Sequence, residues 1–401
     1  MFYHDTLPYI SVISNVDGII NVSTKKVRID GTIVTIVNEY RVSPEPHDYS
    51  KDYLTFEALE DGTFTLSIPA SVDSIYMTSI SYSTDDGETW TTTTVDNTAQ
   101  TITTPTINAG DKVLWKGVGK SMAISSSSNK YSQFSSTGNF SVSGNIMSLL
   151  YGDEFANQVA FPSSSTYNFC CLFKNNNKLI SVENLILLAT TLKDYCYWYM
   201  FSGCTSLTTA PSILPATTLA ESCYSAMFRN CTSLTTAPEL SATILANYCY
   251  NSMFSGCTAL TTAPELPATT LAQFCYGNMF DGCKALTTAP ELPATTLATQ
   301  CYFYMFNGCT ALTTAPELPA TTLVESCYNY MFQGCTRLNY IKAMFITTPS
   351  TTYTYGWVGG VAATGTFVKN KNATWTTTGD NGIPTGWTVE TANADTNEIT
   401  I

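Results

Sequence analysis

From residue 179 onward the apolar positions of the chain return at a fixed long period. Aligned on leucine, the array passes from Leu179 through Leu207, Leu234, Leu260, Leu286 and Leu312 to Leu338, at spacings of 28, 27, 26, 26, 26 and 26 residues. One unit, residues 260–285, reads L-T-T-A-P-E-L-P-A-T-T-L-A-Q-F-C-Y-G-N-M-F-D-G-C-K-A. Such self-similarity predicts a solenoid in which each unit buries its apolar face on its neighbours. Within the unit, Leu271, Cys275, Met279, Phe280 and Cys283 fall at i, i+4, i+8, i+9 and i+12. That stripe is close to helical period, so the segment after Ala-Thr-Thr is expected to be helical, in part 3-10. Residues 260–263, followed by Pro264, are too few for a helix and rich in threonine, which predicts the short strand that pairs with its copies.

Ahead of the repeats the pattern changes to alternation. Residues 27–36 read V-R-I-D-G-T-I-V-T-I, β-structure with a turn at Asp30-Gly31. Residues 54–65, 83–90 and 111–115 are further strands, punctuated by turn residues at intervals that suit a sandwich, with a low-complexity serine loop at 125–128. The expected organisation is an N-terminal β segment (1–50), a β-sandwich-like domain (51–160), an α/β solenoid (161–345) and a C-terminal β cap (346–401). The first repeat carries Asn168 and Asn176 where later units have cysteine, which reads as polar replacement at an end that no upstream repeat covers.

The 14 cysteines follow the repeat. After Cys170 and Cys171 they come in pairs eight apart, from Cys196/Cys204 to Cys327/Cys335, so they are expected to be reduced thiols at buried ladder positions rather than disulfides or zinc ligands. A net charge of −13 disfavours nucleic acid or an anionic membrane as partner. Only 12% of residues are charged, in a chain rich in Thr, Ser, Asn and Tyr, a composition closer to secreted or virion β-proteins than to metabolic enzymes. The first residues have neither the basic nor the apolar region of a secretory signal, and no stretch is long and apolar enough to span a membrane.

The run Met305-Phe306-Asn307-Gly308-Cys309-Thr310-Ala311-Leu312 resembles the Ala-Phe-x-Gly-Cys-x-x-Leu core of BspA-like leucine-rich repeats, over residues 165–345. It departs from them in having Ala-Pro-Glu-Leu-Pro where those repeats have an isoleucine-rich strand. The resemblance implies the plan of strand, turn, short helix and turn. Joined to the β-rich N-terminal part, the array resembles fibre or appendage proteins of phages of gut Bacteroidales, crAss-like phages included. That implies a virion-surface protein, docked to other virion proteins through its N-terminal segment and reaching a host-surface glycan or protein through its repeats. A bacterial BspA-like surface adhesin, a purely structural virion component and a glycan-cleaving tailspike are the rival readings, and self-association into a homo-oligomer is left open.

No catalytic constellation is expected. His4 and His47 lie in no nucleophile or metal motif and read as solvated loop residues, and Asp153-Glu154 reads as a loop pair rather than a glycosidase dyad. No cofactor or metal is implied. The constant Glu239, Glu265, Glu291 and Glu317 are read as splayed, solvated carboxylates, ahead of a calcium or basic-partner stripe. What varies between units is more informative. The two residues before the first cysteine and the two after the following tyrosine change from unit to unit and hold Tyr, Trp, Phe, Asn, Ser and Gly, a composition like that of antibody paratopes. On a helix these would share the outer, convex face. The expected ligand-binding residues are Tyr195, Trp198, Tyr199, Tyr248, Phe274, Phe303, Tyr304 and Tyr330.

Overall fold

The computed structural model describes residues 50–70, 76–96, 98–123, 130–162 and 165–392, together with the backbone of 6–8, 13–15, 18–29, 32–42 and 49. His4, His47, the Asp30-Gly31 turn and the serine run 125–128 lie outside the described residues. The chain divides after Lys51 into two units. In the first, β3 (Gly18–Ile29) and β4 (Thr32–Val42) form a long antiparallel pair, and β3 also receives β1 (Thr6–Pro8) and β2 (Ile13–Asn15).

The second unit begins with two facing sheets. One contains β5 (Leu54–Ala58), β7 (Met77–Ser83), β8 (Thr91–Thr94), β10 (Lys112–Gly119) and β12 (Phe140–Asn145). The other is β6 (Phe64–Ile68) between β9 (Gln100–Thr103) and β11 (Gln133–Ser136). Leu54, Phe56 and Ala58 point inward and Thr55 and Glu57 outward, as strand alternation requires. Phe56, Phe64, Trp115, Phe134 and Phe140 fill the space between the sheets, with ring centroids 4.8–5.8 Å apart.

The sandwich runs directly into the repeats. Parallel to β12 lie β13 (Leu179–Ser181) and β14 (Leu185–Ile186) of the first coil. The Phe134 amide donates to Leu172 O at 2.8 Å, and its ring stacks on Phe173 at 5.5 Å. Asn168 and Asn176 are therefore covered, at 0% and 6% exposure. Their amides donate to Lys120 O (2.9 Å) and Phe134 O (3.2 Å). The expectation of an uncovered end is thus corrected: asparagine stands there because its longer side chain reaches the backbone of the sandwich.

The array is a β-solenoid, with about seven turns over residues 213–392, and almost no helix. Among the described residues the one α-helix is the short α1 (Ser148–Tyr151). The segment expected to be helical is a ribbon of overlapping turns. In the coil of Tyr195, the amides of Tyr195, Tyr197, Tyr199, Phe201 and Gly203 donate to carbonyls of the next coil at 2.7–3.1 Å. The amides between them, Cys196, Trp198, Met200, Ser202 and Cys204, donate three residues back. Every fourth residue takes positive φ, as at Tyr195 (60°), Tyr199 (55°) and Gly203 (76°). The repeat is therefore four residues, about 90° per residue against about 100° for a helix, close enough for a short apolar stripe to mimic one.

The threonine-rich segment pairs through single parallel bridges such as Thr209↔Thr236 and Thr262↔Thr288 rather than through a continuous strand. Only β15 (Ile213–Leu214) and β16 (Glu239–Leu240) pair over two residues there. The flanking prolines lack the amides that would extend a ladder.

Each coil buries the same side chains. Cys275, Tyr276, Met279, Phe280, Cys283 and Leu286 are each at most 1% exposed, and their equivalents stack from coil to coil. The thiols of the second cysteine row, from Cys204 to Cys335, donate to the carbonyl of a phenylalanine in the preceding coil at 3.0–3.1 Å. Cys170 and Cys171 do not belong to these rows, contrary to expectation; they occupy the ribbon positions equivalent to Trp198 and Tyr199, with sulfurs 3.3 Å apart. All fourteen are free.

The coils continue past residue 345, where a cap was expected. The strands β17 (Tyr340–Ala343), β18 (Thr366–Asn370) and β19 (Thr388–Ala392) are parallel, Trp357 extends the phenylalanine row beyond Phe332, and Gly356 and Gly360 carry on the positive-φ positions. The indoles of Trp357, Trp375 and Trp387 each donate to a backbone carbonyl at 2.7–3.2 Å.

Candidate functional site

The turn ribbon places all eight expected residues on one face of the solenoid, by a different geometry from the helix that suggested them. Two of the three ring-bearing positions in a coil, those of Tyr195 and Tyr199, are the positive-φ positions. A left-handed backbone costs a non-glycine residue roughly 1–2 kcal/mol, so large side chains recur where backbone preference alone would select glycine. Each of the eight is half-buried.

They form two patches. In the first, Tyr195 lies nearly parallel to Tyr167 at 4.7 Å, Trp198 is 5.4 Å from Tyr195, and Tyr199 is 4.8 Å from Trp198. The Tyr195 hydroxyl donates to Glu221 Oε1 at 2.9 Å, and this bond together with burial pushes the phenol up to about 12. The Lys174 ammonium lies 5.0 Å from the centre of the Tyr199 ring. In the second patch Tyr248 stacks on Phe274 (5.2 Å), which meets Phe303 (5.4 Å); Tyr304 follows at 4.7 Å and stacks on Tyr330 at 4.3 Å.

Between the patches the ribbon carries Ser222, Ser225 and Ala226, all buried. The surface thus alternates aromatic and small along the axis, with the small residues overlain by their neighbours. Tyr167 and Tyr355 extend the two patches and were missed by sequence reading. Tyr355 lies 5.1 Å from Tyr330 in a coil whose repeat signature has decayed, and Tyr167 lies in the degenerate first unit.

No known protein family, curated protein or solved structure matches this chain.

The other candidates sit apart from the ribbon. Glu239, Glu265, Glu291 and Glu317 line up on exposed positions, and Glu317 is engaged by Lys342 at 2.9 Å. Asp153 is held by Lys116 and Tyr53 on the sandwich, with Glu154 exposed beside it. Among the described residues no group of three or more His, Cys, Asp or Glu converges as a metal site would need, and no helix is long and apolar enough to cross a membrane.

Proposed function

We propose that the chain is a surface-recognition protein of the fibre or appendage type, which binds a host-cell glycan or protein through the two aromatic patches of its turn ribbon. One observation carries this reading: from Cys196 to Leu338 the interior of each coil repeats the same residues, whereas the ribbon of the same coils varies and gathers its aromatic residues into continuous patches. A frame that changes little and a face that changes freely are what recognition requires, and aromatic clusters supply much of the energy of typical interfaces. On this reading the separate N-terminal unit docks to the particle. Assignment to a phage virion rests on the resemblance of the repeats and is tested by locating the chain on purified particles.

The binding reading is tested by replacing Phe274, Phe303, Tyr304 and Tyr330 together by serine and measuring attachment of the purified protein to intact candidate host cells. The expected outcome is loss of attachment with unchanged circular dichroism. Full attachment by the folded variant moves the receptor site off the second patch, and a parallel variant with Tyr195, Trp198 and Tyr199 changed to serine asks the same of the first.

A further inference from the structure

A second candidate site lies on the sandwich, away from the ribbon. The outer face of the larger sheet meets the 3-10 turn Gly152–Glu154 and leaves an open groove of about 530 Å³. Strand pairing sets its floor: Lys116 on β10 lies opposite Ser81 on β7, and Ser81 opposite Thr92 on β8, so three polar side chains form one row across three strands. The hydroxyls of Ser81 and Thr92 are 2.8 Å apart. In the next row Val118 lies opposite Ser79. Val118 is 49% exposed, which is unusual for valine on a strand whose other face is core.

Two glycines let the chain pass close to β10 here. On the core side a Cβ at Gly117 would come within 2.7 Å of Leu149 O and of Ile80, so its absence lets α1 pack against β10, while Gly152 takes φ +57° with the exposed Val118 beside it. The turn after α1 thereby reaches the edge of the outer face. That contact delivers Asp153 to Lys116, whose ammonium donates to both carboxylate oxygens at 2.7 and 3.0 Å. Tyr53 OH donates to the same carboxylate at 2.6 Å, and the ammonium also lies 4.0 Å from the centre of the Trp90 ring. These donors hold the Asp153 carboxyl below its usual range, Lys116 first and Tyr53 next, so the carboxylate is ionised at neutral pH. An exposed ion pair contributes little to stability, so two aromatic rings and two glycines committed to orienting this one suggest another use.

The groove offers donors and acceptors side by side without a net cation: a neutralised Lys–Asp pair, a row of hydroxyls and the free Glu154 carboxylate. Beside them is an apolar strip made by Val118, Gly117 and Tyr151. A ligand that matches must be uncharged, carry neighbouring hydroxyls and have one apolar face, and a volume of this order suits one or two rings. We infer that the groove binds a neutral saccharide, with the C–H face of one sugar ring on Val118 and two neighbouring hydroxyls on the Lys116–Asp153 pair. The two carboxylates, on a chain of net charge −13, select against acidic sugars. This site is independent of the ribbon.

The test is saturation-transfer NMR on the full chain, with the methyl glycosides of glucose, galactose, mannose and N-acetylglucosamine as probes and methyl glucuronide as the acidic counterpart. Transfer to at least one neutral glycoside is expected, with weaker transfer to the glucuronide. Val118→Glu places a charge on an already exposed side chain, and Lys116→Met removes the donor; each should weaken binding at least about tenfold, whereas the serine variant of the second ribbon patch should bind as the parent does. Unfolding curves of the two groove variants check that the sandwich is intact. The inference fails if no neutral glycoside receives saturation, if the glucuronide binds as well as they do, or if binding survives unchanged in folded Val118→Glu.

Discussion

Tyr302 and its neighbours Phe303 and Tyr304 are adjacent in sequence but belong to two different aromatic stacks. Tyr302 is one rung of an interior row in which Tyr276, Tyr302 and Tyr328 lie 5.9–6.0 Å apart with rings within 4° of parallel. Phe303 and Tyr304 stand on the ribbon, where centroid distances run from 4.3 to 6.0 Å and tilts vary from 21° between Tyr304 and Tyr330 to 85° between Phe303 and Tyr330. Inside, the spacing of the coils sets the distance and leaves little choice of angle, so one residue type serves each row from Tyr197 to Tyr328 and from Phe173 to Phe332. Outside, one side of each ring is free of packing, so rings can tilt toward whatever neighbour they have, and the sequence can change. The same backbone thus enforces uniformity on one face and permits variation on the other.

The largest effect that this contrast predicts is alkaline unfolding. Burial pushes the thiols of Cys204, Cys257, Cys275 and Cys335 up to about 12 from an ordinary value of 9.0, and the interior tyrosines shift in the same direction. The folded chain therefore keeps protons that the unfolded chain releases. Stability from these groups is fully present below pH 9 and is lost as pH rises toward 12, at roughly 1.4 kcal/mol per pH unit for each thiol. Four or more such groups acting together should unfold the solenoid cooperatively within that window. Far-ultraviolet circular dichroism followed against pH measures this, and a native spectrum persisting to pH 12 would refute the buried-thiol account.

Next in size is the difference between deleting an inner ring and deleting an outer one. Phe254→Ala opens a cavity between rings 5.7 and 5.8 Å away on either side and should cost about 3–5 kcal/mol. Tyr304→Ala removes a half-buried ring and should cost about 1 kcal/mol, most of it the stacking with Tyr330. Urea denaturation of the two variants makes the comparison. Equal losses would mean that the ribbon rings are structural, and the case for a recognition surface would fall with them.

The repeat was legible from sequence because a 26-residue period can be satisfied only by stacking, and the constant leucine, cysteine, methionine and phenylalanine marked the interior. The helix was not real, because Cys275, Met279 and Cys283 are spaced by four in a turn ribbon as they would be on a helix, and composition does not reveal the positive φ at Phe274 and Asn278. Aromatic residues at left-handed positions run against local preference, which is why sequence rules favoured a regular element there. The constant tyrosine after the first cysteine was visible in every unit but was not recognised as core, since a phenol usually keeps its hydroxyl near water. Phe134 was out of reach of any repeat search. It is the first rung of the phenylalanine row, yet it sits on a strand of the sandwich with no repeat signature around it.

The smallest predicted effect concerns that tyrosine row, and asks whether uniformity inside reflects stability at all. The hydroxyls of Tyr197, Tyr224, Tyr250 and Tyr276 are buried without a hydrogen-bond partner among the described residues. Burial pushes each phenol well above its usual value, with neighbouring thiols and phenols adding to the shift, so each remains neutral near pH 7. A buried hydroxyl without a partner costs about 1–3 kcal/mol of desolvation, and replacing it with hydrogen on the same ring leaves the packing intact. Tyr250→Phe should therefore be neutral or stabilising, by up to about 1 kcal/mol, in contrast with the large loss at Phe254 a few residues along the same coil. Thermal unfolding of the single variant, and of one with all four tyrosines changed, decides the matter. A loss above about 1 kcal/mol from the single change would mean that the hydroxyl has an energetic role in the native interior, and the row would then have to be counted among the polar networks that fix the register of the coils.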